Sequence, residues 1–304
     1  MRLEPGSPLS GSAAAAALWA DRPADAATIL EHLNPQTDLG WTPTPDHFDY
    51  WSDLTEAYHM MGRHDAELAA ANRSTSRPTL ARAWLRGRAL AALGRSADAL
   101  REIDSAFMRP SQPEISLGLA PNTDGRNEYI GTAGEVSLWI ARELTVHGDS
   151  ADGREAAIRA VRWFQSRPPE EQQTVEVRLL EAWALEHAGE YQEAAGLVGG
   201  LVADDSANVD FRGTMAGLDA TVGDTASADR LDAWLAALPP RRAAWGGSFY
   251  RARIASLLGR PDRAATLLRE SIVRGAWPMW IHLDPGLSRL PREPDYAALR
   301  APGS

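Results

Sequence analysis

Six glycines, Gly62, Gly94, Gly148, Gly189, Gly223 and Gly259, each follow a run of helix-forming residues, at separations of 32, 54, 41, 34 and 36 positions. Five residues after four of them stands an alanine: Ala99, Ala194, Ala228 and Ala264. Glu67 is a variant of this rule, and Gly148 does not fit it. Seven residues before each glycine sits a small residue, namely Thr55, Gly87, Ala141, Ala182, Ala216 or Ala252. A recurring spacing of about 34 residues with helical segments on both sides marks an array of helix-turn-helix repeats.

The glycines also order the rest of the chain. A glycine between two helices supplies the left-handed conformation that closes the first of them. Small residues at −7 and +5 let the two helices approach, and larger ones at −4 and +9 (Leu90 and Ile103, Leu185 and Val198) fill the space between repeats. Near the start, Asp21-Arg22-Pro23 makes a similar turn, followed by Ala26 five residues after Asp21. Helix pairs are predicted over roughly 13–33, 46–73, 79–107, 129–167, 170–203, 207–238 and 244–275. The expected organisation is a flexible N-terminus (1–12), a repeat array (13–275) with a loop insertion at 108–128, and a C-terminal capping segment (276–304). That insertion is rich in Pro, Ser, Asn and Gly, and a loop of its length is usually functional or disordered.

Composition removes several functional classes. Cysteine is absent, so disulfides, thiolate nucleophiles and cysteine-bound metals are excluded. There is no lysine either: all 31 basic residues are arginine, which rules out a phosphate-loop lysine or a Schiff base. The net charge of −10 is spread along the chain and disfavours direct nucleic-acid binding. No apolar run reaches the ~18 residues that cross a bilayer. The stretch Ala13–Ala20 makes a poor signal peptide and reads better as a first helix. A cytoplasmic location is expected, without membrane contact.

Residues with chemical potential are few. His59 and His64 flank Gly62, and the intervening turn takes them off a single helix face, so neither a metal nor any other cofactor is expected. The pairs Asp204-Asp205 and Glu170-Glu171 sit at helix ends, where the helix dipole accounts for acidic residues. Ser248 lacks the strand-turn-helix setting of a nucleophile elbow. No catalytic residue is assigned. Of the eleven tryptophans, Trp19, Trp163 and Trp234 read as packing, and Trp277 and Trp280 as a seal over the last repeat.

The repeats resemble the tetratricopeptide repeat (TPR). The best copy carries Gly87, Leu90, Gly94, Ala99, Ile103 and Ala106; the next carries Ala182, Leu185, Gly189, Tyr191 and Ala194. A narrower resemblance, over residues 50–68, 131–148, 250–275 and 282–303, is to the repeat region that follows the kinase domain in some bacterial serine/threonine protein kinases and related signalling regulators. In that closing segment Asp284, Pro285, Leu290, Pro294 and Tyr296 fit the pattern, whereas Pro291 and Ala301 depart from it.

The resemblance implies an all-α, right-handed α-solenoid of antiparallel helix pairs, a TPR-like superhelix of about seven pairs. It also implies that the first helix of each pair lines a concave groove. Positions about 10, 6, 3 and 2 residues before the turn glycines then give the partner-binding candidates Glu56, His59, Trp84, Arg88, Arg142, Trp183, His187 and Arg253, with Glu186 beside them. Arginine, tryptophan and histidine together suit charge-assisted bonds and aromatic anchoring of a peptide. The lysine-and-asparagine carboxylate clamp of chaperone-binding relatives is absent. The expected function is a non-catalytic protein-interaction scaffold or regulatory module that binds a peptide segment or an effector domain. Two alternatives stand beside it. One is the ligand-sensing region of a bacterial kinase or transcriptional regulator; the other is a carbohydrate-active enzyme of the α/α-toroid type. Neither the partner nor the oligomeric state follows from the sequence.

Overall fold

All six ladder glycines adopt positive φ, between 66° and 102°. The residue after each donates its backbone N–H across the turn to the carbonyl five residues back, as in Arg95 N to Leu90 O and Arg260 N to Ala255 O, both 2.8 Å. This bond closes one helix and aims the next back along it. Asp21 (φ 55°) takes the same role in the first turn, where Arg22 N donates to Ala17 O at 2.8 Å.

The computed structural model describes residues 10–35, 48–74, 79–108, 132–239 and 245–290. The 108–128 insertion lies outside them except for Met108. The helix pairs are α1 (Ser10–Trp19) with α2 (Pro23–Glu31), α3 (Phe48–Met60) with α4 (His64–Arg73), and α5 (Thr79–Ala92) with α6 (Ser96–Phe107). Next come α7 (Ala133–Val146) with α8 (Ser150–Gln165), a short α9 (Pro169–Gln172), and α10 (Val175–Ala188) with α11 (Tyr191–Asp204). The array continues with α12 (Val209–Val222) and α13 (Thr225–Ala236), then α14 (Gly246–Leu257) and α15 (Pro261–Val273). A short α16 (Pro278–His282) and a 3-10 turn (Leu287–Arg289) follow. Each pair packs on the next, giving the expected all-α solenoid. No described helix is long and apolar enough to cross a membrane.

Helix starts follow from local chemistry. Thr132 caps α7: its hydroxyl accepts from Glu135 N at 3.2 Å and donates to the Glu135 carboxylate at 3.0 Å. Asp149, Asn208 and Asp224 cap α8, α12 and α13 with their side-chain oxygens.

The small positions are where helices meet. Thr55, Ala99, Ala141, Ala194, Ala216, Ala228, Ala252 and Ala264 are completely buried. At Gly87 an added Cβ would lie 2.8 Å from Ile140 Cγ1. Gly148 obeys the rule in a stricter form than the sequence reading allowed. Five residues later comes Gly153, buried against α7, where a Cβ would stand 2.9 Å from the Ala141 carbonyl oxygen and closer still to the Thr145 hydroxyl. Even alanine is too large at this crossing.

Candidate functional site

The inner helices α3, α5, α7, α10, α12 and α14 carry the residues expected to face a groove. Much of that face is covered by the chain's own segment 276–290. After α15, Ala276 still lies in the core of the last pairs, while the next residue, Trp277, stacks on Trp19 of the first pair with ring centroids 6.3 Å apart and donates its indole N–H to Glu56 at 3.0 Å. From there it returns along the inner helices. Trp280 packs edge-on against Trp139, Arg142 donates to the Leu283 carbonyl at 3.0 Å, Arg253 pairs with Asp284 at 3.0 Å, and Ser256 donates to the Gly286 carbonyl at 2.7 Å. Met279 and Leu283 join the core of the first two pairs, while Ile281, Leu287 and Leu290 join that of the last. The segment is thereby anchored at both ends of the solenoid.

This course differs from a cap confined to the last repeat. Trp280 does pack on the terminal pairs, but Trp277 reaches the first ones. The apolar side chains of 276–290 divide between two separate cores, Ala276, Ile281, Leu287 and Leu290 in that of the last pairs and Met279 and Leu283 in that of the first.

The eight candidates fall into three surroundings. Glu56, His59 and Arg88 are buried near the N-terminal end, Trp84 packs partly buried beneath Arg88, and Arg142 and Arg253 are buried under the segment. Trp183 and His187 line the part of the groove that stays open. Buried charge on this scale requires partners, and most are visible. Arg253 pairs with Glu186 and with Asp284. Burial alone would lower the Arg253 pKa, yet those two carboxylates outweigh it and raise it. Arg142 is different: among the described residues it has no carboxylate within ion-pairing distance. Its guanidinium lies over Trp139 (4.9 Å) and Trp280 (5.8 Å), and burial lowers its pKa despite the nearby Asp284.

Four of the seven histidines meet at the N-terminal end of this face. His59 Nδ1 bonds Glu67 Oε2 at 2.9 Å, and His64 Nδ1 bonds the same oxygen at 3.1 Å. Arg88 Nε donates to Glu67 Oε1 at 2.7 Å. The turn at Gly62 does not separate His59 from His64, because α4 folds back on α3 and leaves their ring centroids 5.1 Å apart. His147 and His282 come within 5.6 Å and 5.3 Å of His59 by the same measure. Burial opposes charge on both Glu67 and His59. It is overcome by their mutual attraction and by Arg88 for Glu67, so Glu67 is held well below the usual carboxylate range. His59 is raised because Glu143 adds to the pull of Glu67.

Glu67 was the missed residue, and its signal was present. It stands at the +5 position that is otherwise small, so a carboxylate there is forced into a helix crossing and must find cations.

The open part is a cavity of about 440 Å³ bounded by α10, α12 and α14 on one side and by Trp280, Asp284 and Pro285 on the other. Trp183, Phe211, Trp245, Phe249, Tyr250 and Trp280 give it aromatic walls, and Arg142 and Arg253 reach it. Trp183 donates to Thr214 at 3.4 Å. Burial holds the His187 imidazole well below its usual pKa, helped by Arg142 and Arg253, so the ring is neutral. Burial also pushes the Tyr250 phenol well up, with Asp210 adding to the effect.

No family model and no curated protein sequence matches the chain. Solved structures of similar course include a tetratricopeptide repeat protein from Parabacteroides merdae, aligned over 91% of this chain and 96% of its own at 12% identity and a TM-score of 0.46. The Cut9–Hcn1 hetero-tetramer of the APC/C aligns over 97% of this chain and 55% of that one, at 13% identity and a TM-score of 0.39. Yeast Tom70 aligns over 92% and 74%, at 12% identity and a TM-score of 0.28.

Proposed function

We propose that the chain is a non-catalytic, TPR-like binding module. Its inner face holds its own C-terminal segment and offers the remaining cavity to a partner's peptide segment. One observation carries this reading. Arg142, a buried cation without a carboxylate partner among the described residues, adjoins a cavity walled by six aromatic side chains. That combination suits a peptide presenting an apolar or aromatic side chain beside an acidic group. Of the carboxylates that line the cavity, Glu186 and Asp284 are paired with Arg253, and Asp210 stands beside Tyr250. The cavity volume also falls in the range of about 300–1,000 Å³ typical of small-molecule sites. It therefore supports a second reading as a ligand-sensing region.

Peptide-display selection on the full chain tests the proposal, with Trp183→Ala as the comparison because Trp183 is only partly buried. The expected result is enrichment of peptides pairing an aromatic residue with Asp, Glu or a free carboxyl terminus, lost in the variant while its melting temperature holds. Equal enrichment on both proteins would contradict it.

A further inference from the structure

The histidine cluster contains a set of atoms that nothing in the binding reading uses. Glu143 lies in the last turn of α7 and His147 caps that helix, His59 is the penultimate residue of α3, and His282 ends α16. One ligand atom from each lies within 4.8 Å of those from all the others. His59 Nε2 is 3.4 Å from His282 Nε2 and 3.5 Å from Glu143 Oε2, and His147 Nε2 is 3.5 Å from that same oxygen. These separations are too long for good hydrogen bonds. They are close to the edge of a tetrahedron around zinc, about 3.3–3.4 Å for metal–ligand bonds of about 2.0–2.1 Å.

Two further observations point the same way. The Glu143 side chain is completely buried, and its contacts to the His59 and His147 imidazoles, at 3.5 Å each, are long, so that neither of its oxygens, nor His147 Nε2, makes a hydrogen bond of good geometry to a described residue. Leaving a buried carboxylate so poorly satisfied is costly, and a cation at the centre of the four atoms removes the cost. In addition, His59 is already oriented as a ligand. Its Nδ1 is bonded to Glu67, which is itself fixed by Arg88, and this turns Nε2 toward Glu143 and His282. Carboxylate–histidine pairs of this kind support metal-bound imidazoles.

We propose that His59, Glu143, His147 and His282 bind one zinc-class divalent cation in a closed, four-ligand structural site. Three imidazoles and one carboxylate match that choice of metal. Because His282 belongs to the C-terminal segment, the ion clasps that segment to α3 and α7. The second cluster, His59, His64 and Glu67, is occupied by hydrogen bonds within itself and serves as support.

The test uses the full-length, tag-free chain stripped with chelator and titrated with Zn²⁺ in competition with a chromophoric chelator, and with Co²⁺ as a spectroscopic probe. One Zn²⁺ per chain is expected, together with the intense visible absorption of four-coordinate Co²⁺. Glu67→Gln, which touches a ligand and not the metal, is expected to weaken binding about 10–100-fold. Glu143→Gln and His282→Ala weaken it further, and His64→Ala keeps the stoichiometry and the spectrum. His147→Asn, at a side chain 20% exposed, tests the site with least disturbance to the core, and circular dichroism of each metal-free variant checks its fold. Binding no tighter in the parent chain than in His147→Asn and His282→Ala would overturn the proposal. So would a Co²⁺ spectrum of six-coordinate type, or binding lost in His64→Ala and kept in His282→Ala.

Discussion

His59 at the end of α3 and His282 at the end of α16 lie 223 positions apart in the chain, yet their Nε2 atoms are 3.4 Å apart. The contact records how the array is closed. Its last segment returns to its first helices and lies on the face that repeat arrays commonly leave open. On the proposed reading, partner binding depends on what the segment leaves uncovered, or on its release.

The Arg253 interaction holds the segment at its other end. Its side chain is 7% exposed and bridges Glu186 and Asp284. Arg253→Ala leaves two buried carboxylates without their cation and is expected to cost about 3–5 kcal/mol. Urea denaturation of variant and parent measures it, and a change below about 1 kcal/mol would mean that the pairing is not formed.

Glu67→Ala moves the second pair toward the small-residue rule that the other pairs follow. Stability should nonetheless fall by about 3–5 kcal/mol, because Arg88 and His59 lose their shared carboxylate inside the protein. Thermal or denaturant melting of the variant decides between this expectation and the gain that the repeat pattern alone would suggest.

Gly153 and Gly196 are both within helices and differ in what surrounds them. Gly153→Ala is expected to destabilise by about 1–3 kcal/mol, since its methyl group would press on the Ala141 carbonyl and the Thr145 hydroxyl. Gly196→Ala meets nothing within 4 Å and is expected to stabilise by about 0.5–1 kcal/mol. Opposite signs in paired melting experiments are the outcome to look for; equal signs would mean that α7 and α8 do not cross as closely as described.

Leu287→Ala removes a completely buried side chain from the core of the last pair. A loss of about 2–5 kcal/mol is expected if the segment is docked. A neutral result in denaturant melting would place Leu287 in solvent instead.

What the sequence revealed follows physical lines. The turns were legible because a positive-φ glycine and a small residue five positions later are local requirements, as at Gly189 and Ala194. Gly148 resisted only because its +5 partner is glycine. The path of residues 276–290 was not legible, since no local periodicity says that Met279 and Leu287 belong to different cores. The candidate residues emerged by counting from the glycines, but their surroundings did not. Arg88, Arg142 and Arg253 bear on residues from 21 to 141 positions away. His59 and His64 were read as taken off a single helix face by the turn at Gly62, whereas the fold brings their rings together and α7 and α16 complete their neighbourhood.

The central claim, that the inner face holds the chain's own C-terminal segment, is tested most directly by hydrogen exchange over residues 276–290 in the full chain. The amides of Leu283, Gly286 and Leu287 are hydrogen-bonded to Met279 O, Asp284 Oδ1 and Asp284 O at 2.9, 2.8 and 3.0 Å. Exchange slowed by at least about a hundredfold relative to an unfolded peptide is expected there. Exchange at the unfolded-peptide rate would contradict it.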